Sequence, residues 1–404
     1  MSVHLEPRSA YIAFEVFPRP KGASSHMASM VKALCLDHGP VVMLCLGFGD
    51  MPAFQQEGDI LIERCKIYHP NMLKRSQEFS EFVARKLDQW RDTLELCVFR
   101  DPWGGIPALF SGHRYKTLFE VNALPSWELG YTYPAFAGNH SLKHKIMDLE
   151  YACLDHSDRV LTVSRVTAKA LVNKGLGQEK ITIIPNSAPE VFFNAPSPET
   201  SVEGMGEGRW IAYVGSLHPW QGVENAIRAF SLIHTRFPDV NMLIVTGGRK
   251  EIRKQIRKLI RKLGLEDRVV IKLPLPHRDL VHVLRHCEFT LAPLVDTPRN
   301  TRQGCCPIKV IESMALGVCV IGSNLASVRD LIEHGHDGWL VPPGQIRDLA
   351  LAMDRLLKDR PLTASLAREA AQKARRDFHP HKIHRDLSRC FAATINPKGA
   401  SYGT

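Results

Sequence analysis

Short apolar runs alternate with amphipathic stretches along almost the whole chain. Ala10 to Phe17, Val41 to Leu46, Ile60 to Ile67, Leu94 to Phe99, Tyr115 to Val121, Val160 to Val163 and Ile181 to Ile184 have strand length and strand composition. The segments between them carry helical spacing, and this order predicts a parallel sheet covered by helices on both faces. Asn194 to Gly208, "NAPSPETSVEGMGEG", has few large apolar residues and many turn formers, so it reads as a linker. The alternation then restarts with Trp210 to Val214, Asn241 to Val245, Val269 to Leu273, Phe289 to Ala292 and Val318 to Ile321. The expected fold class is α/β, with two doubly wound parallel-sheet domains at 1–193 and 209–376. A last segment, 377–404, is expected to supply a helix crossing back to the first domain and a tail. Such an arrangement faces the carboxyl ends of both sets of strands toward a ligand cleft.

One stretch poses a chemical question. "GCCPIKVIESMALGVCVIGSN", Gly304 to Asn324, reads as loop, short helix and strand, with Glu312 set among apolar and small residues. Pro307 suits the first helical position, and Gly317 suits the stop. At helical spacing Ile308, Val310, Ile311, Met314 and Ala315 share one face, while Lys309, Glu312 and Ser313 fall on the other. The plain expectation is a solvated polar face. Lys309 fits it less well, because a cation in the first turn opposes the helix dipole unless something negative lies nearby. Its position points to an anionic ligand.

Composition narrows the field. A chain of 404 residues with 44% hydrophobic content can bury large cores. Its longest apolar runs, such as Val41 to Phe48, fall short of the ~20 residues that span a bilayer. Met1 to Arg8 lacks the basic-then-apolar order of a secretory signal, so a cytoplasmic setting is expected. The ten cysteines include no C-x-x-C pair, and Cys45, Cys97 and Cys319 lie in strand-like runs, as reduced core residues do.

A net charge of +10 favours an acidic partner. Much of the excess sits in "RKEIRKQIRKLIRK", Arg249 to Lys262, where Ile252, Ile256, Leu259, Ile260 and Leu263 form an apolar stripe under a basic face. Two expectations follow: a helix packed on a sheet with its basic face in water, or a peripheral contact with an anionic membrane surface. Nucleic acid is not expected as a partner, since no RNP-type, zinc-finger or helix-turn-helix pattern accompanies the charge.

Two loops suit phosphate. "PRPKGASSHMASMVKAL" brings Gly22 and Ser24-Ser25 to a helix start after the first strand, where free N–H groups favour an anion. "YVGSLHPWQGVENAIRAF" repeats the arrangement in the second domain with Gly215, Ser216 and Gly222. Neither matches the nucleoside-triphosphate or dinucleotide loops, and no D-x-D occurs to hold a metal-bound diphosphate.

Taken together, these phrases resemble the retaining, nucleotide-sugar-dependent glycosyltransferases of family 4, whose two Rossmann-like domains form the GT-B arrangement. The likeness covers most of the chain. It is carried by "FPRPKGASSHMASMVKAL", "FEVNALPSWELGYTYP" and "DRVLTVSRVTAKALVNKGLGQEKITIIPN" in the first half. In the second it is carried by "YVGSLHPWQGVENAIRAF", "IVTGG", "LGLEDRVVI" and "PIKVIESMALGVCVIGSNLASVRDLIEHGHDGWLVPPG". A branch with "PWxG" and "PxKxxE" phrases is the nearest in pattern.

The resemblance implies roles residue by residue. Glu312 matches the second glutamate of the E-x7-E motif, which holds the ribose hydroxyls of the donor. Gly304, Cys305, Cys306, Pro307 and Ile308 match the segment that contacts donor sugar and phosphates, and Gly247 and Arg249 lie in another donor-side turn. Gly22 and Ala23 match the Gly-Gly turn beside the diphosphate. Three positions depart from the family: Gly304 stands where the first glutamate is usual, and Ser216 and Gln221 replace the diphosphate-binding Arg and Lys. Lys309, Arg302, Arg299 and Arg249 are the candidate substitutes, and Glu312, Lys309 and Arg302 are the candidate catalytic set.

The first domain is then expected to hold the acceptor. Arg100, His113, Glu120, Asn122 and Glu128 form the candidate wall, although His113 alone fits a turn and Glu120 alone fits an ion pair with Lys116 or Arg114. The implied reaction moves a hexosyl group from a nucleoside diphosphate sugar to a hydroxyl of a glycan or lipid-linked acceptor. It needs no cofactor and no metal, with Asn194 to Gly208 and Asp377 to His381 as hinges. A non-catalytic scaffold and a sugar-nucleotide epimerase are the other readings.

Overall fold

The first run of strands builds an 8-stranded sheet. Its members are β1 (Ser9–Val16), β2 (Val41–Gly47), β3 (Phe54–Glu57), β4 (Ile60–Lys66), β5 (Leu96–Phe99), β6 (Lys116–Val121), β7 (Arg159–Thr162) and β8 (Ile181–Ile183). They lie in the order β3-β4-β2-β1-β5-β6-β7-β8, parallel throughout except for β3 against β4. All of β2 and β5 is buried, which explains why these strands read as continuous apolar runs. This computed structural model describes residues 5–19, 22–66, 69–112, 114–195, 205–248 and 250–397. Ile67, assigned to a strand by its composition, lies outside them.

The second run forms a 6-stranded, wholly parallel sheet of β9 (Arg209–Val214), β10 (Val240–Val245), β11 (Val269–Lys272), β12 (Cys287–Ala292), β13 (Cys319–Ser323) and β14 (Trp339–Val341). Its order is β11-β10-β9-β12-β13-β14. Sequence pattern misses two edge strands. β3, "FQQE", is almost wholly exposed and so carries no apolar signal, and β14 is only 3 residues long.

Each sheet has a switch point. The chain leaves β1 for β2 on one side and later returns to β5 on the other, while β9 is flanked in the same way by β10 and β12. Loops leaving the carboxyl ends of such strand pairs diverge, and ligands settle in the gap. The switch points therefore lie at β1/β5 and at β9/β12.

The chain divides into two compact units, with the described parts of 1–19, 23–184 and 384–404 in one and Gly22 with 185–383 in the other. The first break comes after Ile184, ahead of the stretch expected as a linker, of which 196–204 lies outside the described residues. Side chains explain the shift. Asn186 Nδ2 donates to Cys306 O at 2.7 Å, Ser187 Oγ donates to Phe378 O at 2.8 Å, and Phe192 and Phe193 are buried. These bonds tie 185–193 to the second unit, a fact composition does not carry. The second break, between Ile383 and His384, falls inside the helix Pro380–Ile395.

The basic segment forms the helix Lys250–Lys262. Ile256 and Ile260 are buried in the second unit's core, with Ile252, Leu259 and Leu263 packed against it. Its apolar stripe is thus used by the protein's own core, and only the charged face meets solvent. All ten cysteines are free thiols. Among the described residues no helix is long and apolar enough to cross a membrane.

Candidate active site

At the β9/β12 switch point the backbone is crowded. Gly215 follows β9 with φ +150°, and a Cβ there would meet Lys309 Nζ at 3.1 Å and Tyr213 Oη at 3.2 Å. Tyr213 Oη donates to Ser216 O at 2.6 Å and holds the turn shut. Gly222, with φ +71°, starts the helix Val223–Ser231, and a Cβ on it would lie 1.8 Å from Pro293 O. Glycine is needed at both places because backbone or a buried side chain comes close.

The loop after β12 is tied to this turn. Trp220 O accepts from Val295 N at 3.0 Å and from Asn300 Nδ2 at 2.9 Å, and Asn300 Nδ2 also reaches Val295 O at 2.8 Å. His218 stacks on Trp220 with centroids 4.2 Å apart, and the Arg299 guanidinium sits 5.7 Å from the Trp220 ring. One wide turn, Arg299–Gln303, ends at Gly304 with φ +82°. Cys306 is then clamped by Asn186, whose N–H also donates to its Sγ at 3.3 Å, and burial pushes this thiol up to about 12. Cys305 Sγ lies 3.6 Å from Ser327 Oγ.

The helix Ile308–Ala315 begins one residue later than expected, with Pro307 as its extended cap, and Gly317 follows at φ +67°. Its polar face is not solvated. Glu312 and Ser313 are buried, with Ser313 Oγ accepting from Thr290 Oγ1 at 2.7 Å and donating to Lys309 O at 2.9 Å. Periodicity separates the two faces of a helix, but it does not reveal that Thr290 of β12 lies against Ser313 or that Glu312 is buried.

That cover sets the electrostatics. Burial raises the Glu312 carboxyl to about 7, with Lys309 pulling the other way, and its oxygens have no hydrogen-bond or ion-pair partner among the described residues. Burial lowers the Lys309 ammonium to about 8. Lys309 Nζ donates to Gln221 Oε1 at 2.6 Å and stands 4.6 Å from the centre of the Tyr213 ring. Its recorded partners are a neutral amide and an aromatic face, so its charge is not cancelled by contact.

The first unit carries a second cluster, on the ends of β1, β5 and β6. Glu120 is fully buried, and Tyr11 Oη donates to its Oε2 at 2.7 Å. His26 Nε2 lies 2.6 Å from Oε1, Asn122 Nδ2 bonds to the same oxygen, and Arg100 Nε is 3.3 Å away without hydrogen-bond alignment. Burial alone would raise the Glu120 carboxyl, yet the charges of His26 and Arg100 and the hydrogen bonds of His26 and Tyr11 bring it down to about 2. The expected pairing of Glu120 with Lys116 or Arg114 is not found. Lys116 Nζ is taken by Asp158 Oδ1 at 2.8 Å, and Glu120 turns inward.

The other expected residues are scattered. Arg302 is exposed and makes no hydrogen bond or ion pair among the described residues, because the wide turn leaves it outside the Lys309 group. Gly247 follows β10, where a Cβ would meet Pro274 Cγ at 3.2 Å. Glu128 lies in the next helix, Pro125–Thr132, while Gly22 and Ala23 open the helix Gly22–His38. His113 and Arg249 lie outside the described residues. Sequence reasoning missed Tyr11 and His26. Tyr11 looks like any core aromatic, and the one signal for His26 is a polar ring in the first turns of the helix that follows β1.

Two parallel-sheet α/β units, each with a polar cluster at its switch point, define a GT-B glycosyltransferase architecture. The description "Glycosyltransferase Family 4" matches residues 20–189, and "Glycosyl transferases group 1" matches 202–376. The chain belongs to this family. It is 23% identical over 372 residues to an uncharacterized glycosyltransferase of Methanocaldococcus jannaschii, covering 87% of this chain and 89% of that one. A Streptomyces coelicolor exopolysaccharide phosphotransferase is 29% identical over 219 residues, 54% of this chain but 21% of that protein. In fold the chain is similar to sucrose-phosphate synthase of Thermosynechococcus elongatus, at TM-score 0.80, 17% identity and coverage of 97% and 100%. It is also similar to Anabaena HepE in complex with UDP-glucose, at TM-score 0.72, 16% identity and coverage of 95% and 99%.

Proposed function

We propose that the protein transfers a hexosyl group from a nucleoside diphosphate sugar to a hydroxyl of a glycan or lipid-linked acceptor, with retention of anomeric configuration. The observation that carries this reading is the pair on one helix at the β9/β12 switch point. Glu312, a buried carboxyl with no partner among the described residues, suits the two hydroxyls of a ribose. Lys309, whose recorded hydrogen bond goes to a neutral amide, suits a diphosphate. Departure of a nucleoside diphosphate builds negative charge on the β-phosphate, and a preorganised cation in a low-dielectric site stabilises it without a divalent ion. Gln221 stands where the family has its lysine, and its oxygen holds the Lys309 ammonium at 2.6 Å. The charge is thus kept and only its source has moved.

Sugar-nucleotide binding by structural neighbours such as HepE supports the donor class, and relatives named for amylovoran and colanic acid biosynthesis support a role in bacterial cell-surface polysaccharide or glycolipid formation. Incubation with UDP-, GDP- and ADP-sugars should release free nucleotide from one of the three, measured by chromatography. A folded protein that binds none of them would instead be a non-catalytic scaffold.

In this setting the protein works in the cytoplasm at the inner face of the membrane, touching anionic lipid through the solvent face of Lys250–Lys262. With the apolar stripe in the core, this contact is electrostatic and screened by salt. Sedimentation with phosphatidylserine vesicles should be lost at high ionic strength, and binding that persists after Lys254, Arg257, Lys258 and Arg261 are neutralised would remove the helix from this role.

A further inference from the structure

We infer that Asn300 is a positioning residue of the donor site: it holds the Trp220 carbonyl and so fixes the Gln221 amide against which the Lys309 ammonium is set. The inference rests on the transferase reading and adds to it what places the cation. All of its parts belong to the second unit.

The chain of contacts begins in a peptide plane. Trp220 O and Gln221 N belong to one planar amide, so holding both of its edges orients the residue that follows. The oxygen accepts from Asn300 Nδ2 at 2.9 Å and from Val295 N at 3.0 Å, and the N–H donates to His218 O at 2.9 Å. Beyond Gln221, Gly222 lies so close to Pro293 O that a Cβ would meet it at 1.8 Å, which leaves the turn no room to slide. With its backbone held on both sides, the Gln221 side chain presents Oε1 to Lys309 Nζ at 2.6 Å.

Asn300 buckles two loops together. Its amide nitrogen also reaches Val295 O at 2.8 Å, so one side chain ties the loop after β9 to the loop after β12. Both partners are carbonyls, which accept and never donate, so the nitrogen is the end that faces them. One residue earlier, the Arg299 guanidinium sits 5.7 Å from the Trp220 ring. The wide turn Arg299–Gln303 thus holds this tryptophan by its face and its carbonyl with two successive residues, and wide helical turns of this kind recur at functional sites.

A purely structural role accounts for less of this. Asn300 is 1% exposed, and its Oδ1 is buried with no hydrogen-bond partner among the described residues. Desolvating that oxygen offsets what two neutral hydrogen bonds return, so the amide adds little to stability. Trp220 O would also keep its bond from Val295 N without it. What the side chain supplies is a fixed place for Gln221, and through Gln221 for the cation.

The test uses the full chain with UDP-glucose, GDP-mannose and ADP-glucose, water serving as acceptor, and follows nucleotide release. Asn300→Ala should lower turnover about 10-fold, as a small misplacement of a catalytic group does, and should change calorimetric affinity for the free nucleoside diphosphate less. In a Gln221→Ala or Lys309→Met background the same substitution should cost nothing further in turnover, because the group it positions is gone. Asn300→Ser, which keeps one donor, should fall between Asn300→Ala and the wild type. Full turnover in Asn300→Ala, or a loss of the same size in every background, would overturn the inference. Amine acetylation read by mass spectrometry is independent of turnover. Asn300→Ala should raise the labelling of Lys309 several-fold while the exposed Lys254 and Lys258 stay as in the wild type, and unchanged labelling of Lys309 would also overturn it. A wild type that consumes none of the three donors would bring down the transferase reading, and the labelling would still decide whether Asn300 places Lys309.

Discussion

Glu312→Gln should weaken binding of the cognate nucleoside diphosphate about 100-fold, as loss of charge-assisted hydrogen bonds to two hydroxyls implies, and should at the same time raise the melting temperature at pH 8. The second effect follows from burial. The folded protein keeps the Glu312 proton up to about pH 7, whereas the unfolded chain loses it near the ordinary value of 4.5. Stability therefore falls as pH rises between these values, by about 3 kcal/mol in all, and stays low above them. Glutamine has no proton to lose, so the variant should match the wild type at pH 4.5 and exceed it by several degrees at pH 8. Lys309 enters the comparison too: burial lowers its ammonium to about 8 and Glu312 holds it up in part, so the variant loses that support at pH 8 and its gain there is smaller than removal of the buried carboxylate alone would give. Melting curves at the two pH values, beside calorimetry with UDP, GDP and ADP, decide the matter. An equal gap at both would mean the carboxyl is not desolvated, and unchanged affinity would take Glu312 out of the donor site.

Lys309→Met should cost more in turnover than in binding. Removing one preorganised donor from a developing oxyanion typically costs about 10²- to 10³-fold in rate, and methionine fills much the same volume without a charge. Gln221 supplies the sharper comparison. It contacts Lys309 directly at 2.6 Å, so the two positions must be coupled. Gln221→Lys in the wild type places two ammonium groups together and should impair turnover, whereas in the Lys309→Met background it returns a cation to the same place and should recover much of the loss. Steady-state rates for the four proteins complete the cycle. Additive losses would show that Gln221 and Lys309 do not share one site.

Sign reversal between backgrounds is the mark of a charge that has changed its point of attachment. On the proposed reading the cation at this turn is Lys309, from the helix after β12, while the loop after β9 supplies only the Gln221 amide that holds it. Small residues at Gly215 and Gly222 follow from the same crowding. One makes room for the ammonium and the other for the Pro293 carbonyl.

Much of this protein was legible from residue order alone, wherever the physics is local and periodic. Buried parallel strands announce themselves as apolar runs because both of their faces are covered, and the restart of the pattern after Gly208 announced a second sheet. The Ile308–Ala315 helix, its glycine stop and the odd placement of Lys309 against the dipole were all readable within one turn. Tertiary structure decided the rest, because it depends on what comes near from far along the chain. Glu312 reads as a solvated residue until the folded second unit buries it, and Glu120 reads as a partner for Lys116 until Tyr11, His26 and Arg100, 94 residues away for the histidine, converge on it. Pairing of charges buried from water is set by distance in space, and periodicity along the chain holds no record of that distance.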